Sequence, residues 1–349
     1  MNGENRIIRN LEVLTEHFIP SRIVHRDGQL KAIRDDLKPI LSEMNARNVF
    51  LHGAPGTGKT CMARYVLDEL KENAPVLASY VNCWECRSRF KILFNLLQDF
   101  GMRFSIHRRG QPTDELLELL RKRTEGKYCA IILDEVDQLD DSKILYDLTN
   151  IPNISLIMIA NEETALYKAE PRIRSRLMSS DRIEFPAYRD REISDILRDR
   201  SEWGLVPGAV KNVQLERIAN ASGGDARIAI NTLRIVAEDA ENRDMDSIPN
   251  GFIERAISNI ASKREKRFEE LNPHERLIIT VLKGKGRMDS GDLYKELQRL
   301  AEEQNVEKIV DRTFRKYMDS LVKHGFVTYS GDGRWRTYSI AEQSRQQKF

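Results

Sequence analysis

Gly53-Ala54-Pro55-Gly56-Thr57-Gly58-Lys59-Thr60 sets glycines, a lysine and a hydroxyl at the spacing that cradles a polyphosphate. Glycine lets backbone N–H groups curl around a phosphate, and the N-terminus of a following helix favours its charge. Lys59 would reach the terminal phosphates, and Thr60 would offer an oxygen to Mg²⁺. Ala130-Ile131-Ile132-Leu133 ends in Asp134-Glu135. In hydrolysis of a phosphoanhydride, a carboxylate like Asp134 holds the shell of the same Mg²⁺, and Glu135 orients and polarises the attacking water. Asn161 closes the next apolar run, where it either positions that water or forms a turn. Arg172, Arg174 and Arg176 follow. An arginine delivered to a neighbour's γ-phosphate stabilises transition-state charge. Arg174 is the preferred choice, the other two compete, and a basic surface helix is the plainer alternative. Arg200 continues the Ile193/Ile196/Leu197 stripe, so it points inward and needs a partner that a nucleotide can supply. Tyr188 can pack on base or ribose, or simply in a core. Arg227, after Gly223-Gly224, can reach the γ-phosphate or lie on the surface of a first helical turn.

These residues need a scaffold. Val49-Phe50-Leu51 reads as a buried strand before the glycine loop, and Cys61–Lys71 as a helix carrying Met62, Val66 and Leu70. Val76–Val81, Cys129–Leu133 and Ile154–Ala160 are further apolar runs, and Ile183–Phe185 is a shorter one. Such runs alternating with helices predict a parallel sheet covered on both faces, with ligands at the carboxyl ends of its strands. Before the sheet, Pro20–Arg26 reads as extended, and Asp27 caps a helix bearing Leu30, Ile33, Leu37 and Leu41. Asp190 to about Ile260 reads as helices only. The charge run Ser262–Arg267 marks a boundary. Beyond it, helical stripes Leu277/Ile278/Val281, Leu293/Leu297/Leu300 and Phe314/Met318/Leu321 precede a hairpin, Phe326–Tyr329 and Arg334–Ile340, around Gly331-Asp332-Gly333. Three helices and a hairpin predict a winged helix. Its third helix, about Asp311–Lys323, carries Arg312, Arg315, Lys316 and Lys323 off the apolar stripe, and Arg334 and Arg336 share a face of the wing. Either these cations meet DNA or the unit makes protein contacts.

At 349 residues the chain is expected to form two or three domains. The formal net charge is only +2, yet residues 262–349 hold 19 Lys+Arg against 14 Asp+Glu, which directs the search for a nucleic-acid contact to that end. No apolar run is long enough to span a bilayer, and Met1–Asn10 has no apolar leader character, so a cytoplasmic location without membrane contact is expected. Cys83-Trp84-Glu85-Cys86 is a lone CxxC with no second pair or His cluster to complete a zinc site.

Assembled, these motifs resemble the AAA+ ATPases of the replication-initiator branch, and more narrowly the archaeal origin-recognition and cell-division-control initiators. The resemblance rests on Gly53–Thr60, Ile131–Glu135, Asn161, the Arg172–Arg176 box, Phe185-Pro186-Ala187-Tyr188, Gly224-Asp225-Ala226-Arg227 and the Pro20–Arg26 segment, and it spans nearly the whole chain. It implies an α/β P-loop domain over residues 1–188, a helical lid over 189–261 and a winged-helix DNA-binding domain over 262–349. It implies that ATP or ADP is held by Val24, Gly56, Thr57, Gly58, Lys59, Thr60, Cys61, Tyr188, Arg200 and Arg227, with Mg²⁺ at Thr60 and Asp134. It further implies a helical insertion at Phe90–Arg109 whose basic end, with Arg108 and Arg109, touches the DNA backbone. The implied function is an ATP-regulated, nucleoid-associated origin binder that hydrolyses ATP slowly, works with other initiator protomers and helps load the replicative helicase. A paralogous DNA-binding transcription regulator with an AAA+ module is the alternative. A clamp loader or remodeller fits less well, because such a protein does not require a winged helix.

Overall fold

Val, Ile and Leu fill the central strands because both sheet faces are covered. The computed structural model describes residues 7–102, 111–168, 171–177, 179–304, 306–323, 326–330 and 336–340. Its first part runs α1 (Asp27–Leu37), β1 (Val49–His52), α2 (Lys59–Asn73), β2 (Leu77–Asn82), α3 (Arg89–Asp99), α4 (Thr113–Thr124), β3 (Cys129–Asp134), α5 (Lys143–Thr149), β4 (Ile154–Ala160), α6 (Pro171–Leu177) and β5 (Asp181–Glu184). The strands form one parallel sheet in the order β2-β3-β4-β1-β5. Every residue of β3 and β4 is buried. Successive side chains alternate between faces. Ile131, Leu133, Leu156 and Met158 join α3, α4 and α5 in one core, while Ala130, Ile132, Ile157 and Ile159 join α1 and α2 in the other.

One local feature departs from the expected pattern. Leu30, Ile33 and Leu37 are buried as predicted, but Leu41 is 50% exposed. Pro39 lies in a 3₁₀ turn, Lys38–Ser42, that begins where α1 ends, and the changed pitch rotates Leu41 off the buried stripe. Phe90–Asp99, expected to be helical after the second strand, lies in α3, and its Ile92, Leu93, Leu96 and Leu97 are fully buried. Arg89 ties this helix to its neighbours: its Nε lies 2.5 Å from Asp147 on α5 and its Nη1 2.9 Å from Asp114 on α4. Arg108 and Arg109 lie outside the described residues.

A helical unit follows: α7 (Asp190–Gly204), α8 (Asn212–Ser222), α9 (Ala226–Glu241) and α10 (Asn250–Glu269). Ile193, Leu197, Leu215, Ile218, Leu233, Val236 and Ile253 form its core, and Ile7 and Leu14 from the start of the chain complete it. Glu241 holds that early segment by accepting the N–H groups of Ile7 and Ile8 at 2.7 and 2.9 Å. The 262–267 charge run lies in the last turns of α10, which ends at Glu269, and its sequence there is rich in good helix formers.

The last part contains α11 (Pro273–Lys285), β6 (Met288–Asp289), α12 (Ser290–Glu303), α13 (Asp311–Lys323), β7 (Val327–Ser330) and β8 (Thr337–Ile340). A small antiparallel sheet in the order β6-β8-β7 packs with the three helices around Leu277, Ile278, Leu297, Phe314 and Leu321. The two-residue β6 is too short to show in a sequence pattern, and both hairpin strands begin later than their hydrophobicity suggests. The Thr164 hydroxyl, just past β4, lies 3.3 Å from that of Tyr329 on β7, so the sheet unit and the C-terminal unit touch. Among the described residues, no helix is long and apolar enough to cross a membrane.

Candidate nucleotide site and basic C-terminal residues

The glycine loop joins β1 to α2, and its backbone takes conformations only glycine adopts freely. Gly56 and Gly58 have φ of 76° and 92°. Crowding adds to this, since a Cβ on Gly58 would lie 2.7 Å from the Tyr188 hydroxyl and one on Gly53 only 2.1 Å from the Phe185 carbonyl oxygen. Thr57 braces the loop by donating to the Ala54 carbonyl at 2.8 Å. Lys59 opens α2, is 7% exposed and folds over the loop. Its Nζ donates to the carbonyls of Gly53 and Ala54 at 2.6 and 2.9 Å and to Asn161 Oδ1 at 3.4 Å. Burial pulls its ammonium down to about 8.

Asp134 ends β3 two strands away from β1, and the sheet order brings it to the head of α2. Its Oδ2 accepts from the Thr60 hydroxyl at 2.7 Å and from the Tyr80 hydroxyl at 3.1 Å, and its Oδ1 accepts the Glu135 N–H at 2.9 Å. Glu135 has a φ of 56°, an uncommon value for a non-glycine residue. Burial first, then Asp134 and Asp137, raise its carboxyl above the usual range. Thr60 and Asp134 give a pair of hard oxygens beside a phosphate loop, which fits Mg²⁺, an ion that takes few protein ligands and completes its shell with phosphates and water.

The helical unit closes over this loop. The Ala226 N–H donates to the Gly56 carbonyl at 3.1 Å. Asp225 caps α9 by accepting the N–H groups of Arg227 and Ile228, and a Cβ on Gly56 would lie 1.9 Å from its Oδ1. The Arg227 side chain is half exposed and its charge is felt at both Lys59 and Glu135. Tyr188 is 8% exposed, and the Arg26 guanidinium stacks 4.0 Å from its ring centroid. Arg26 is buried, donates to the Pro186 carbonyl at 2.5 Å and has an Nε without a hydrogen-bond partner among the described residues. Val24 is half-buried beside His25, whose Nε2 lies 2.8 Å from Asp195 on α7 and clips this segment to the helical unit.

Arg200 is buried as its stripe predicts, and it has partners in the chain itself: it donates to the Val13 and Phe18 carbonyls at 2.9 and 3.2 Å and stacks on the Phe18 ring at 4.7 Å. Those bonds engage Nη1 and Nη2, two of the three nitrogens of a five-donor group. Cys61, half-buried at the head of α2, is close enough to feel its charge.

The other candidate cations among the described residues lie on α6, on α13 and before β8. Ile173 and Leu177 bury one face of α6, leaving Arg172 and Arg174 exposed, and the Arg176 side chain lies outside the described residues. On α13, Phe314, Met318 and Leu321 face inward while Arg312, Arg315 and Lys316 are exposed. Arg315 is paired with Asp311 at 2.6 Å, so this face is less basic than its arginine count suggests. Arg336 also differs from expectation: it precedes β8 and is half-buried, its guanidinium stacked 4.5 Å from the Tyr329 centroid. Arg334 and the turn before it lie outside the described residues, as does the Lys323 side chain. Tyr80 and the capping role of Asp225 were missed from sequence. Tyr80 had one available signal: an aromatic with a polar tip in a strand beside an acidic strand end needs a partner for its hydroxyl.

Residues 42–166 match a family model described as an AAA domain, and residues 194–258 match the Cdc6 AAA+ ATPase-type lid domain. The chain is 35% identical over 343 residues to ORC1-type DNA replication protein 9 of Halobacterium salinarum, covering 97% of this chain and 96% of that relative. It belongs to the archaeal Orc1/Cdc6 family of AAA+ proteins. Among solved Orc1/Cdc6 structures, it is similar to the Aeropyrum pernix ORC1 protein in complex with DNA, with a TM-score of 0.69, 27% identity and coverage of 97% of this chain and 95% of that one. The Aeropyrum pernix ORC2 protein, solved as ADPNP–ADP complexes, shares the fold with a TM-score of 0.73 at 24% identity, over 96% of this chain and 94% of that one.

Proposed function

We propose that this Orc1/Cdc6 chain is an ATP-regulated replication initiator that binds origin duplex DNA and helps load the replicative helicase, with slow ATP hydrolysis as its switch. The observation that carries the reading is the 2.7 Å contact between Thr60 and Asp134 beneath a phosphate loop that Lys59 already spans. The family's relatives are replication proteins, and the ORC1 neighbour was solved on DNA. On this reading residues 1–188 form the nucleotide domain, 189–261 the lid and 262–349 a winged helix.

Lys59 would exchange its carbonyl partners for phosphate oxygens, moving from a partly neutral group to a fully charged one. The loop N–H groups and Cys61 at the head of α2 would receive the phosphates, and Val24, Arg26 and Tyr188 would border the nucleoside. Thr60 and Asp134 would hold Mg²⁺, which would supply positive charge against that developing on the phosphates. Glu135 would take a proton from the attacking water, with Asn161 fixing the water's position and Arg227 facing the γ-phosphate from the lid. Arg174 on the exposed face of α6 would complete a neighbouring protomer's site. Arg200, whose charge is felt at Cys61, would border the nucleotide while holding the early segment through Val13 and Phe18. Arg312, Arg315 and Lys316 would meet DNA from the third helix of the winged unit, and Arg108, Arg109, Arg334 and Arg336 would add backbone contacts.

Two variants test the nucleotide roles. Lys59→Ala should weaken ATP binding by about a hundredfold, the loss of a charged contact worth roughly 3 kcal/mol. Glu135→Gln keeps the shape of the site, so it should retain ATP while hydrolysis falls by about a hundredfold or more. Equal loss of ATP binding in both would contradict the role given to Glu135.

A further inference from the structure

Tyr80 lies on β2, the edge strand next to β3. In the β2–β3 register Asn82 stands opposite Asp134, which makes Tyr80 the diagonal neighbour of Asp134 on the same sheet face. From there its hydroxyl reaches Asp134 Oδ2 at 3.1 Å, the oxygen that also accepts from Thr60 at 2.7 Å. The ring is held from the other side, with the Arg64 guanidinium 5.3 Å from its centroid. It forms one wall of a cavity of about 370 Å³ that Arg64, Leu67, Asp68, Lys71 and Asp99 also line.

We infer that Tyr80 is a positioning residue for the Thr60–Asp134 pair, fixing the plane of the Asp134 carboxylate so that it meets a divalent cation's water shell. An ionised carboxylate offers about four lone-pair positions. Thr60, Tyr80 and the Glu135 N–H take all but one of them, so the remaining direction is defined before any ion arrives. A Thr60 oxygen facing a cation still has its proton to give to Asp134, so both hydroxyl contacts survive binding. Without the Tyr80 hydroxyl, the carboxylate turns more freely about its last torsion, and partners of this kind that orient metal-binding groups typically change metal affinity tenfold or more. This inference rests on the proposed nucleotide site.

The test uses Mn²⁺ as the cation and ADP as the nucleotide, with the electron paramagnetic resonance signal of free Mn²⁺ as the readout. Tyr80→Phe keeps the ring and its stacking and removes only the hydroxyl. The variant should need about tenfold more Mn²⁺ than wild type for half-maximal binding, while its ADP affinity in EDTA matches wild type. In an Asp134→Asn background the same substitution should shift nothing further. A wild-type Mn²⁺ midpoint in Tyr80→Phe would overturn the inference. So would a matching loss of ADP affinity in EDTA, which would mean that Tyr80 only packs, or a full effect surviving in Asp134→Asn. Wild-type protein that binds no ADP at all would overturn the nucleotide site and this inference with it.

Discussion

Lys59 is charged at neutral pH, but only narrowly. Burial holds its ammonium near 8, and its partners in the loop are carbonyl dipoles rather than anions. Phosphates favour the protonated form. Because the free-site value is depressed and the bound-site value rises, binding takes up a proton as pH climbs through 8, and affinity must fall on the alkaline side. ATP affinity should drop about tenfold between pH ~7 and ~9, measured by calorimetry, and Lys59→Arg, which cannot lose its charge, should flatten that slope. A flat wild-type profile would mean that Lys59 does not contact phosphate. At this scale the sequence was informative wherever a motif has fixed spacing: Lys59, Thr60, Asp134, Glu135, Asn161 and Arg227 do converge. Arg200 shows the limit. Its stripe announced burial, but burial does not name a partner, and Val13 and Phe18 come from a segment with no periodic signal.

At the scale of elements, the loop and the N-terminus of α9 are locked by close approach. Gly56 must have φ near 76° and leaves no room for a Cβ against Asp225. Gly56→Ala combines a strained backbone, costing about 1 kcal/mol, with a displaced Asp225 cap worth about as much. The variant should melt several degrees lower and bind nucleotide at least tenfold more weakly, both readable in one thermal-shift titration. Wild-type behaviour would mean that the lid does not seat on the loop. Sheet strands were legible because β3 and β4 are buried on both faces and must be apolar throughout. The failures lie where another term outweighs hydrophobic spacing. Pro39 turns Leu41 outward, and β6 is too short to have a pattern.

Across the whole molecule, the nucleotide loop, the lid and the C-terminal unit are in register with one another. Asp225 reaches Gly56 from the lid, His25 reaches Asp195 from the segment before the sheet, and Thr164 reaches Tyr329 across to the C-terminal unit. These contacts join the three units, but an ATPase joined to a DNA binder serves an origin or a promoter equally well. Among the described residues the C-terminal cations do not decide between them: Arg315 is paired with Asp311, Arg336 is stacked on Tyr329, and exposed cations such as Arg312 and Lys316 fix no sequence by phosphate contact. What decides is where the protein sits on its genome. Crosslinking the protein in cells and sequencing the bound DNA should return a few sharp sites, each coinciding with a replication start. Occupancy spread over promoters, with none at replication starts, would contradict the initiator reading and make the chain a nucleotide-regulated transcription factor.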